Sequence, residues 1–277
     1  MKNRFLLLVF FTFGYTSMQA QVAEMGLNFT PHKFYLTNPA EKVEGGGFTE
    51  VLPTLRSGSS VGVFFNKILG NQNGLQLDVN FMHQTQNYIY TGLSENKSKI
   101  YTSFNTINIG ISHNIYLWNY DNDDNIMFSY GLSYRSLMDY TDFYSLEFDS
   151  KTNGVITKDL HLTIIENDKS VSTNTITRND SILSVTGDAK TSAPRYKSSN
   201  IGFNFGIHFL HYFTDNLAFT VGAKSTYYLM NPENTTSGFW SNTSKFKYGT
   251  VSSSDDRIAT KMYTFGLSVS LIYCFGR

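Results

Sequence analysis

Six histidines are the residues in this chain best suited to hold a metal or to move a proton, and their spacing decides which of them can act together. In "HFLH", His208 and His211 stand three apart. That spacing places two ligands on one face of a helix but on opposite faces of a strand, so on a strand the pair cannot share an ion. His83 and His113 fall on the apolar side of their segments, and His32 and His161 read as loop residues. A barrel enzyme that trims lipid A would use an outward His and Ser near the outer leaflet, but no Ser/Glu partnership is evident beside either outward histidine. No phosphate loop, nucleotide fingerprint, zinc spacing or basic-aromatic patch occurs, and "GGG" at 45–47 follows no strand and precedes no helix. The sequence therefore names no catalytic residue, no cofactor and no metal site.

A second set of chemically active residues is ionic. Glu24, Asp78 and Asp139 share the polar face of their segments with Arg56, Arg135 and Lys224. Charges that face a narrow interior are costly unless paired and hydrogen-bonded. The expectation is one balanced network that plugs a lumen, with Glu24 and Asp139 the members nearest the rims. The lone Cys274 forms no intramolecular disulfide and reads as a buried, inert thiol.

These residues sit on elements with a period of two. "MYTFGLSVSLIYCF" puts Tyr263, Phe265, Leu267, Val269, Leu271, Tyr273 and Phe275 on one face and mostly small or polar residues on the other. The same alternation appears in "EMGLNF", in 51–65, in "GLQLDVNF", "INIGISHNIYLW", "FSYGLSYRS", "NIGFNFGIHF" and "LAFTVGAKSTY", giving eight strands. Links between them alternate. Those at 67–73, 119–125 and 214–216 are short, and those at 31–49, 91–100, 142–197 and 231–258 are long. Eight strands with all long loops at one end predict an antiparallel transmembrane β-barrel with short periplasmic turns and long extracellular loops.

Composition agrees. Lys plus Arg and Asp plus Glu number 22 each, so no net field favours nucleic acid, while charged and aromatic residues are each 16%. Residues 1–20 carry Lys2 and Arg4 before an apolar run too short to span a bilayer, the pattern of a secretory signal cut after Ala20, with no Cys at the cut for a lipid anchor. Residues 21–277 form the barrel domain. A soluble, lipocalin-like barrel with its apolar face inward is the alternative. Against it stand the Gly/Ser/Asn-rich polar face, the loop asymmetry, and aromatics at stripe ends: Trp118 and Tyr120 beside a turn, Tyr227 and Tyr228 below a loop.

The last strand resembles the assembly signal of outer-membrane barrels, with Thr264, Gly266, Val269 and Leu271 followed by Tyr273 and Phe275, although Gly276 and Arg277 extend past the usual terminal aromatic. "SVGVFFNKILGNQNGLQLDVNF", a glycine-containing strand, a tight Asn/Gly turn and a long alternating strand, is similar to the PorT-like outer-membrane β-barrel family of Bacteroidota. The resemblance implies a cell outer membrane location, with membrane lipid and the barrel-insertion machinery as partners. It implies no particular activity. The segment 142–197, with β-branched runs such as "SVSTNTITRNDSILSV", predicts hairpins that either contact an extracellular protein or glycan or form a variable surface. The leading reading is a non-enzymatic scaffold, adhesion or secretion-accessory barrel acting through its loops; a lipid A-modifying enzyme is the runner-up.

Overall fold

The structure, a computed structural model, describes residues 22–37, 48–92, 97–120, 122–152, 155–167, 170–177, 182–189, 196–233 and 260–276. For 37, 48–56, 88–92, 97–100, 142–152, 155–167, 170–177 and 182–189 it describes the backbone alone. The signal segment 1–20 and "GGG" 45–47 lie outside the described residues.

Alternating residues form strands because one face can be buried while the other is not. Among the described residues there are eleven: β1 (Ala23–Thr37), β2 (Phe48–Ile68), β3 (Asn73–Gly92), β4 (Lys97–Tyr116), β5 (Asp124–Thr152), β6 (Val155–Asn167), β7 (Ser170–Thr177), β8 (Ile182–Ala189), β9 (Ser199–Thr214), β10 (Leu217–Tyr228) and β11 (Lys261–Phe275). The wall runs β4-β3-β2-β1-β11-β10-β9-β5 and closes through β5–β4, all antiparallel. This is the expected eight-stranded barrel. Ala23 pairs with Phe275, so both ends of the barrel lie beside the tight connections at 69–72, 117–123 and 215–216. Followed once round the wall, the row that leaves β5 at Asp139 passes Asn105, His83, Ser59, Pro31, Leu267, Ala223 and Ile207 and returns to β5 at Phe128. A rise of about ten residues per turn means strongly tilted strands and a narrow interior that side chains fill.

The strands run further than the apolar alternation does. β1 continues through Thr37, so His32 is a buried strand residue and not a loop residue, and His161 lies on β6. β2, β3 and β4 extend so far that the β3–β4 connection shrinks to 93–96. Most of the predicted 91–100 loop is therefore strand. β5 spans 29 residues, and above Ser136 it exchanges β9 for β6, which carries β7 and β8 in turn. The hairpins expected in 142–197 are thus a sheet continuous with the barrel wall.

Two local features mark the closing seam. The β1–β11 ladder skips Thr30 and Pro31, since proline has no N–H to give, and Thr30 Oγ1 donates to Ser268 Oγ instead (3.1 Å). Higher up, β1 leaves β2 after His32, and the Gln86 amide takes the place of a strand partner. It accepts from the Leu36 N–H and donates to the Leu36 carbonyl, both at 2.7 Å.

Outward residues are the apolar stripes: Leu27, Phe205 and Leu267 are 59%, 68% and 62% exposed. A soluble barrel would hide these side chains inside, so the lipocalin-like alternative is overturned. Trp118 and Tyr227 face out as expected for interfacial girdles, and Tyr35 stacks on Tyr263. Tyr120 and Tyr228 do not: both turn inward and are buried, for a reason that lies in the lumen.

Candidate functional site: the barrel lumen

At the short-turn end Glu24 points into the barrel and is buried. No cation meets it among the described residues. Its carboxylate accepts from Asn66 Nδ2 (2.6 Å), the Tyr212 hydroxyl (2.7 Å), the Tyr120 hydroxyl (2.9 Å) and, at longer range, the Tyr116 hydroxyl (3.5 Å). Hydrogen bonds to a charged group contribute about 1.5–3 kcal/mol each, enough together to hold a desolvated carboxylate in place. Tyr120 reaches it from the β4–β5 turn, and its burial beside the Glu24 charge pushes that phenol well above the ordinary tyrosine range. Phe64, Ile68, Met127, Leu210, Ala218, Ile272 and Cys274 pack around the cluster. Glu24 is therefore not a rim residue in water.

At mid-height Asp78 is fully buried. It accepts from Asn80 Nδ2 (2.5 Å) and faces Lys224 Nζ at 3.7 Å. Gly110 makes room for it: a Cβ there would sit 2.7 Å from Asp78 Oδ1. Below this pair lies a cavity of about 30 Å³ bordered by Glu24, Asn28, His208 and Lys224, with room for about two water molecules.

Towards the long-loop end Arg135 is buried with no acid beside it among the described residues. Its guanidinium lies over Phe104 (5.2 Å to the ring centroid) and Tyr228 (6.0 Å), while Nε and Nη2 make no hydrogen bond. Phe104, Tyr140 and Tyr196 meet edge to face, and with Phe34, Leu36, Tyr228 and Met262 they cap it. Tyr228 turns inward to form this box.

The single predicted network is thus three separate arrangements stacked along the axis: a hydrogen-bonded acid, an ion pair and an aromatic-boxed cation. Among the described side chains of the six, only Asp78 and Lys224 are brought together. Arg56 pairs with Gln86 in the β2–β3 ladder, and its side chain lies outside the described residues. Asp139 is a correction: it faces outward, not into the lumen. The ladder joins Asn105 to Asp139 but Thr106 to Leu137, so Met138 is an extra residue in a β-bulge and every β5 side chain above it changes face. Outside, Asp139 Oδ1 accepts from Asn105 Nδ2 and Asn105 Oδ1 bonds His83 Nδ1, both at 2.7 Å. The tyrosines around Glu24 had no sequence signal beyond their number; Asn66 and Tyr116 were legible only as inward positions.

Of the other histidines, His208 faces in and His211 out, where His211 meets Asp124 (2.7 Å), so "HFLH" splits as expected. His113 faces out and bonds the Tyr130 hydroxyl (2.8 Å). The assembly-signal residues lie along β11, with Val269, Leu271, Tyr273 and Phe275 outward and Thr264 inward. Gly266 abuts the Pro31 carbonyl and His32, where a Cβ would collide.

A closed β-barrel leaves no backbone edge for lipid to expose, and an apolar exterior is what a bilayer solvates. The architecture is that of an outer-membrane β-barrel, with the short turns at its periplasmic end and the β5–β8 sheet outside the cell. No family model matches the sequence, and no curated protein is similar to it in sequence. Several solved structures resemble the chain at low identity, and three of them illustrate the likeness. They are the outer membrane protein OprG from Pseudomonas aeruginosa (10% identity, 93% of this chain and 97% of that one, TM-score 0.43), the outer membrane protease OmpT from Escherichia coli (11%, 94% and 98%, 0.38) and Ail, the attachment invasion locus protein of Yersinia pestis (8%, 91% and 99%, 0.32).

Proposed function

We propose that this protein is a non-enzymatic outer-membrane scaffold of the PorT-like kind, with a sealed lumen, that contacts an extracellular protein or glycan through the sheet formed from residues 142–197. The observation that carries the reading is the unbroken course of β5 out of the wall into β6, β7 and β8. A loop with no partner has no need of a rigid sheet welded to the barrel. The two borders of the extracellular sheet support a docking role. The upper part of β2 contains Pro53, Glu50, Arg56 and two register shifts, all devices that blunt an edge. β8 reads "ILSVTGDA", with β-branched residues and no Pro, Lys or Arg, and among the described residues it pairs only with β7. An edge of that kind accepts an added strand.

Replacing 142–197 by a short Gly/Ser turn, and separately Val185→Pro on β8, tests the role. Both variants should insert and show heat-modifiable gel migration while losing surface adhesion or export of a dependent substrate. Unchanged phenotypes in folded variants defeat the proposal. Single-channel recording tests the seal, and large stable conductance of the intact protein would remove it. Mass measurement of the mature protein checks cleavage after Ala20. Loss of insertion on truncating Tyr273 and Phe275 checks recognition by the insertion machinery.

A further inference from the structure

The bulge at Met138 does more than misplace a charge. It completes a polar row on the lipid-facing wall, in which Ser59, His83, Asn105 and Asp139 stand side by side on β2, β3, β4 and β5. One row nearer the cell exterior, Ser57, Thr85, Ser103 and Thr141 make a second polar line, with Ser57 Oγ and Thr85 Oγ1 hydrogen-bonded at 3.0 Å. One row deeper, Val61, Phe81 and Ile107 begin the apolar stripe. The Ser59–Asp139 row therefore lies at headgroup depth in the outer leaflet.

Its hydrogen-bond polarity is fixed. A carboxylate only accepts, so Asp139 sets the Asn105 amide with Nδ2 towards it, and Asn105 Oδ1 then requires the proton of His83 on Nδ1. With a neutral His83 imidazole, what faces outward is an acceptor on Asp139, the second N–H of Asn105, the Nε2 acceptor of His83 and the Ser59 hydroxyl. A phosphate needs donors and positive charge; Lys33 on β1, in line with the second row, stands past the end of the β1–β2 ladder at His32–Gly58, the four strands of the row hold no Lys or Arg there, and Asp139 repels a phosphate. An ammonium group needs acceptors only. Alternating acceptor and donor suits hydroxyls, which do both.

We propose that this row binds the sugar hydroxyls of an outer-leaflet glycolipid, fixing the rotation of the barrel in the bilayer. The site is independent of the extracellular sheet. The test places the full-length mature protein in phosphatidylcholine nanodiscs containing equal minor fractions of digalactosyl diacylglycerol, an uncharged sugar lipid, and phosphatidylglycerol. Lipids retained after mild delipidation are then counted by mass spectrometry. The wild type should retain the sugar lipid over phosphatidylglycerol. Asn105→Leu or His83→Phe should lower that enrichment by about fivefold, the effect of one lost hydrogen bond. Tyr227→Phe on the far wall should leave it unchanged. Equal retention of both lipids, preference for phosphatidylglycerol, or unaltered enrichment in both row variants overturns the proposal. A measurement without variants stands beside it: a nitroxide on the sugar headgroup should broaden the His83 ring resonances more than those of His113, and equal broadening counts against the site.

Discussion

The two ends of the lumen face the same problem, a buried charge with no opposite charge beside it among the described residues, and solve it differently. At the periplasmic end Glu24 is satisfied by hydroxyl and amide donors aimed at its oxygens. At the extracellular end Arg135 is satisfied by ring faces, and two of its nitrogens stay without hydrogen bonds. Donor–carboxylate contacts are directional and are lost one by one. Cation–ring contacts are diffuse and survive small shifts. The periplasmic plug is therefore the stiff end of the barrel and the extracellular one the tolerant end.

The contrast can be broken at four points. The largest effect is expected from Tyr120→Phe combined with Tyr212→Phe, which strips Glu24 Oε1 of both hydroxyl donors. The cost should be about 3 kcal/mol or more, read by reversible urea unfolding in lipid vesicles. Asp78→Asn comes next. It removes the partner of Lys224 and should cost about 1–3 kcal/mol, because Lys224 keeps some access to water. Arg135→Met should lie within about 1 kcal/mol of the wild type in either direction, since it deletes a desolvated cation together with its orphaned donors. Were it as damaging as the double tyrosine change, the two ends would not differ in kind. The smallest effect is on pH. The Tyr120 phenol is held protonated in the folded state, so its contribution is fully present below the ordinary tyrosine value of about 10 and is lost as pH rises past it. Urea midpoints should fall in alkali, and less so in Tyr120→Phe.

The outward stripes were legible residue by residue, because lipid demands apolar side chains at every second position and nothing else on that face. Legibility failed where that demand stops. Above the membrane, hydrogen bonding continues without apolar alternation, so the upper parts of β2 to β5 looked like loop. The first long link was set at 31–49, so His32 was assigned to a loop. Asp139 was misplaced because parity counting assumes no bulge, and a single unpaired residue at Met138 reverses every face beyond it. Tyr120 was assigned to the girdle by its place beside a turn, but a turn residue has no parity, and the Glu24 carboxylate decides its direction. The ionic residues were expected as one network, and those described stand apart at different heights. Sequence reveals which face a charge takes, and height along the axis comes only from strand register.

Register also gives the wall a grain. Where Pro31 meets β11, the ladder between first and last strands skips two residues, and a hydroxyl pair inside the lumen, Thr30 to Ser268, ties the strands at that height. A cylinder under tension opens from an interrupted line, and in this barrel one such interruption falls at the join of its own two ends.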